Sequence, residues 1–167
     1  MIETEFGRYR ALGEAAFSQL DAADLGRGDE SASSIATLVW HVSGNLESRF
    51  TDFLTSDGEK EWRDRDSEFL AREVSLPEVT RKWERGWGTL FQTLSSLSDS
   101  DLEATVTIRG VPLTVGEALL RALAHVSYHV GQIVYVAKGL RGTSWRYLSI
   151  PPGGSAAYNA NPTLEKP

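Results

Sequence analysis

Leu119, Ala122, Val126, His129, Ile133, Val136 and Leu140 follow one another at alternating intervals of three and four residues. That spacing lays one apolar stripe along a helix, and a strand, which alternates faces every second residue, cannot use it. Sustained over about six turns, it commits this part of the chain to a long helix that must bury one side. A histidine sits inside the stripe, and His125 lies on its flank one turn earlier. Thr114-Val115-Gly116-Glu117 opens the helix as a capping box, and Arg141-Gly142 closes it.

Three further segments carry the same signature. Ile2, Phe6, Tyr9, Ala16 and Leu20 mark a first helix over about residues 2–23, ended by the turn residues Leu25-Gly26-Arg27-Gly28-Asp29. A second helix begins at a Ser33 or Ser34 cap and buries Ile35, Leu38, Val39, Val42, Leu46, Phe50, Phe53 and Leu54. A third starts at the capping box Ser75-Leu76-Pro77-Glu78 and carries Val79, Trp83, Trp87, Leu90, Phe91, Leu94 and Leu97. Thr105–Ile108 and Val111–Leu113 flank Arg109-Gly110 and suggest a small hairpin. Trp83 and Trp87, with Trp40, read as core or dimer contacts.

Four such helices are expected to form one all-α domain over residues 1–167, a four-helix bundle. The connection between the second and third helices, Ser56–Leu76, is polar and long for a compact domain. It is expected to cross the bundle, which gives an up-down-down-up order, with Trp62 and Phe69 pinning it in place. The tail from about residue 143 is expected to be irregular.

The net charge of −6 and the lack of a basic cluster argue against nucleic-acid binding. No apolar run has the length of a membrane span, and Met1-Ile2-Glu3-Thr4-Glu5 has no leader character, so a cytoplasmic location is expected. The chain has no cysteine, which excludes thiolate ligands and a protein-borne thiol nucleophile.

The chain has three histidines, His41, His125 and His129, all placed near the middles of two helices. His125 and His129 are one turn apart and share a face. Alone, each reads as readily as a hydrogen-bonded boundary residue. Together they suit a metal with an open coordination position. A zincin reading fails, because Val126 stands where that motif has glutamate. Asn45, one turn after His41, and Gln132, three residues after His129, are placed to orient a ring, and Tyr128 to act near the metal. Arg49, Arg63 and Arg65 are candidates to grip an anionic substrate.

Leu38-Val39-Trp40-His41-Val42-Ser43-Gly44-Asn45-Leu46, Arg49 to Leu54, Asp57 to Lys60 with Trp62 to Asp66, and His125 to Ile133 together resemble the DinB/YfiT-like superfamily, in a bacterial branch of unassigned function. Trp145 and Leu148 through Ser155 extend the resemblance into the tail. It implies an up-down-down-up bundle, usually a homodimer, holding one divalent metal through His41, His125 and His129. Zinc or nickel is the first expectation, with iron, manganese or copper as alternatives. Some similar proteins are transferases or isomerases that use a low-molecular-weight thiol. A metal-dependent enzyme transferring such a thiol to an electrophile is the leading expectation. The alternatives are a metal-dependent hydrolase and a dimeric metal- or ligand-binding stress protein without turnover.

Overall fold

The computed structural model describes residues 1–28 and 33–162, and it is mostly helical. Helix α1 spans Ile2–Phe17, α2 Ala22–Leu25, α3 Ile35–Phe50, α4 Leu76–Ser96, α5 Val115–Arg141 and α6 Ser155–Ala160. Strands β1 (Thr105–Ile108) and β2 (Val111–Thr114) form one antiparallel hairpin. The expected capping residues start the long helices. The Ser34 hydroxyl accepts from the Thr37 amide at 3.1 Å. Glu78 and Glu117 accept from the amides of Ser75 and Thr114, both at 2.8 Å. Each such cap offsets an orphan amide and contributes about 1 kcal/mol.

The first predicted helix is divided. It stops at Phe17, and Asp21 restarts a single turn, α2, which buries Leu25. Asp29, the end of the expected turn, lies outside the described residues, as does the tail beyond residue 162. Helix α3 stops at Phe50 rather than continuing to Leu54. Thr51 turns extended and Asp52 adopts a φ of 48°, so Phe53 packs inward from a turn while Leu54 is exposed. The tail carries α6 after Gly153-Gly154.

Helix α3 packs mainly on α4 and also touches α5, while α1 packs mainly on α5 and more lightly on α4. These contacts are compatible with a four-helix bundle. The α3–α4 contact is close because Gly86 has no side chain: a Cβ there would lie 2.6 Å from Ser43 Cα. Trp83 and Trp87 are fully buried. They meet Phe17 and Phe6 edge-on, at centroid distances of 5.7 and 6.3 Å, and the Trp83 indole donates to the Arg10 carbonyl at 3.2 Å. Trp40 lies at the edge instead, under the Arg72 guanidinium. Among the described residues no helix is long and apolar enough to cross a membrane.

Of the two aromatics expected to pin the α3–α4 connection, Phe69 packs its ring against His41, with centroids 4.9 Å apart, while Trp62 is 58% exposed. Two carboxylates also anchor it. Asp57 accepts from the amides of Glu59, Arg109 and Gly110 at 2.7–2.8 Å, which ties the connection to the hairpin tip. Those amides, with Glu59's the strongest influence, hold the Asp57 carboxyl well below the usual carboxylate range. Arg109 and Gly110, at φ 56° and 72°, make the two positive-φ positions a tight hairpin needs. The second anchor is Glu68, in the 3-10 turn Asp66–Phe69, which reaches the histidines.

Candidate metal centre

Helix α3 presents His41 on its inner face, 5% exposed, and α5 presents His125 and His129 one turn apart. One ring nitrogen from each of the three lies within 4.8 Å of the others. The rings are mutually edge-on, with centroids 4.5 to 5.2 Å apart. The predicted trio therefore converges, although α3 and α5 are far apart in the chain.

Hydrogen bonds assign two of the ring tautomers. His41 Nδ1 lies 2.9 Å from Glu68 Oε2, a carboxylate held by Arg63, so Nδ1 donates and Nε2 keeps its lone pair. His129 Nδ1 lies 2.7 Å from Gln132 Oε1, which again leaves Nε2 free. His125 Nε2 faces His41 Nε2 at 3.2 Å, and His125 Nδ1 is buried with no partner among the described residues. With its proton on Nε2, His125 would donate to His41; with the proton on Nδ1, the two lone pairs would face each other and need a cation between them. Nitrogens each about 2.05 Å from a tetrahedral zinc ion lie about 3.3 Å apart, close to the separation seen. The donor set fits a borderline divalent ion.

Glu68 is the residue sequence reasoning missed. It is 5% exposed, and its two oxygens accept from Arg63 Nε (2.8 Å) and Nη2 (3.0 Å) as well as from His41. Burial pushes its carboxyl up, but the bonds from His41 and Arg63 outweigh this and hold it below its ordinary value. Gly44 makes the approach possible, since a Cβ there would collide with the carboxylate. A histidine every turn on a helix is visible in a sequence. A carboxylate arriving from a loop 27 residues after His41 is not.

The other expected residues divide. Gln132 orients His129. Asn45 lines the cavity beside His41 and His125. Tyr128 is 65% exposed, with its ring edge-on to His129 and its hydroxyl 3.4 Å from Gln132 Nε2. Arg49, Arg63 and Arg65 all line the cavity. Arg63 spends two nitrogens on Glu68, and Arg49 bonds to the Gly58 carbonyl and Glu59. Arg65 lies over Phe69 and is only loosely paired with Asp66, at 3.8 Å.

Burial, then the neighbouring His129 and His41, push His125 down to about 3, and burial also lowers His129. An unfolded chain would protonate these rings near pH 6.5, so between that value and about 3 the unfolded state binds more protons than the folded one. Stability of the metal-free protein should be full above about pH 6.5 and fall as pH drops. The loss has an upper bound of about 1.4 kcal/mol per unit for His125, reduced by solvent screening of a partly exposed ring. Melting of chelator-treated protein between about pH 7.5 and 5 isolates the histidines from the carboxylates. The His125→Gln variant should show a flatter profile. A wild-type melting temperature constant across that window would rule out neutral, desolvated rings.

The family described as "Protein of unknown function (DUF1572)" matches residues 1–154. The chain belongs to this family. No curated protein and no solved structure matches it.

Proposed function

We propose that this DUF1572 protein is an enzyme of the DinB/YfiT-like type. It is an up-down-down-up bundle that holds one divalent ion through His41, His125 and His129 and transfers a low-molecular-weight thiol to an electrophilic substrate. The observation that carries the proposal is the convergence of one ring nitrogen from each of His41, His125 and His129 within 4.8 Å, with Nδ1 of His41 and of His129 already committed to Glu68 and Gln132. An ion held by three imidazoles supplies a Lewis-acidic open position that lowers the pKa of a thiol or water bound there.

The chain's own residues do the rest. Glu68 fixes the orientation of the His41 ring, and Arg63 keeps Glu68 ionised. Phe50 and Phe53 line one side of the adjoining cavity and limit water. The absence of cysteine means that any thiol comes from outside. No Asp or Glu is among the residues lining the cavity, so a hydrolase would lack a carboxylate general base there, and this favours thiol transfer. Leu120, Tyr128 and Tyr135, all exposed on α5, give a homodimer a surface to bury.

Cobalt substitution tests the chemistry. Titration of the cobalt protein with small thiols, bacillithiol included, should produce a strong near-ultraviolet charge-transfer band. If the cobalt site is shown to be full and no thiol changes the spectrum, direct thiol ligation is wrong and hydrolysis or simple binding takes its place.

A further inference from the structure

The cavity beside the histidines has a volume of about 190 Å³, and Arg49, Arg63, Arg65, Arg109 and Arg121 line it with no carboxylate among the lining residues. This is unusual in a chain of net charge −6. Three carboxylates, all standing outside the lining, answer these five guanidinium groups. Glu59 is shared between Arg49 and Arg109, Glu68 is held by Arg63, and Asp66, at 98% side-chain exposure, lies 3.8 Å from Arg65. Asp57 spends its oxygens on backbone amides. Among the described residues the Arg121 guanidinium has no ion-pair or hydrogen-bond partner. It stands one turn before His125 on the same face of α5. Burial, opposed by Glu59, lowers the Arg49 pKa, and the charges of Arg63 and Arg109 push it the same way. The cavity thus concentrates positive charge that the protein does not neutralise. Apart from His41, Asn45 and His125, its other walls are apolar, with Phe50 and Phe53 buried and Ile108 half-buried. Its volume suits a small ligand or the charged end of a larger one.

We infer that this cavity binds a small organic acid, its anionic group on Arg109 and Arg121 and its apolar body against Phe50, Phe53 and Ile108. Arg109 rides on the hairpin tip, where Asp57 holds its backbone and Glu59 its Nε, so its position is built into the fold. Arg121 is held by a long helix. Neither residue was among the candidates read from the sequence. The inference rests on the proposed function for the reaction, since it names the class of the small-molecule substrate, but binding of the acid does not need the metal.

Benzoate is a suitable probe, with benzamide as its uncharged counterpart, measured by calorimetry or ligand-observed NMR on chelator-treated and metal-loaded protein. Benzoate should bind both forms at least about tenfold more tightly than benzamide, the loss typical of removing a charged hydrogen bond. Arg109→Gln and Arg121→Gln should each weaken benzoate roughly tenfold, and Arg121→Lys should weaken it less. Both arginines are exposed, so circular dichroism should be unchanged; should a variant unfold, the wild-type benzoate–benzamide comparison still decides. Equal binding of the two probes, or benzoate affinity unaltered in the double Arg109→Gln/Arg121→Gln variant, overturns the inference. So does benzoate binding that requires the metal and survives both replacements. Metal uptake without benzoate binding would sink this inference alone. Benzoate binding without metal uptake would sink the metal reading alone.

Discussion

His41→Ala, His125→Ala and His129→Ala should each remove stoichiometric metal from the protein. Each replacement deletes one of three converging nitrogens, and two imidazoles cannot hold a divalent ion at comparable strength. Loss of an outer hydrogen-bond partner already costs about 10–100-fold in affinity, so loss of a ligand should exceed the upper figure. Elemental measurement on protein purified without a histidine tag reads the occupancy directly. A second readout is thermal. An ion at about 1,000 times its dissociation constant stabilises the folded state by about 4 kcal/mol, so added metal should raise the wild-type melting temperature and leave the variants where they were. Full occupancy in all three variants would place the ion elsewhere. Full occupancy in one alone would remove that residue from the site.

The trio was legible in the sequence because its geometry is helical. His125 and His129 are one turn apart on a stripe that had to face inward, and His41 sits among Leu38, Val39 and Val42, which are buried in the fold. Helix starts were equally readable, since the caps at Ser34, Ser75 and Thr114 act within one turn. The long connection was not. Its charged residues look alike in a sequence, yet Glu68 is buried against Arg63 and His41 while Asp66 is almost wholly exposed. What separates them is space made by another element, the bare backbone at Gly44. Of the aromatics in the same stretch, Phe69 packs on His41 as expected, but Trp62 stays exposed because the turn that buries Glu68 directs the chain inward several residues later. Arg109 and Arg121 escaped notice for a related reason. One belongs to a hairpin tip and the other to a helix, and only the docking of the 51–75 connection onto that hairpin shows them lining one cavity.

Glu68→Gln should damage both stability and the metal site, and the two effects can be separated. Glutamine still offers an acceptor to His41, but it leaves the Arg63 guanidinium, 3% exposed, without a counter-charge. Breaking a buried ion pair from one side costs about 3–5 kcal/mol, which in a domain of this size lowers the melting temperature by on the order of 10 °C. Metal affinity should also fall about 10–100-fold, because a neutral amide holds the His41 Nδ1–H less strongly than a carboxylate does and so orients the ring less firmly. The double variant Glu68→Gln/Arg63→Met removes the stranded cation. It should recover much of the lost stability, since apolar replacements of buried pairs are often neutral, while the metal affinity stays low. The same pair adds a second pH window below that of the histidines. The folded Glu68 titrates below its ordinary value, so its contribution is present above about pH 4.3, the unfolded value, and is lost as pH falls through the folded one. Wild-type melting temperature and metal affinity in Glu68→Gln would show that the carboxylate neither neutralises Arg63 nor orients His41. Recovery of metal affinity in the double variant would show instead that Glu68 acts only by holding the loop in place.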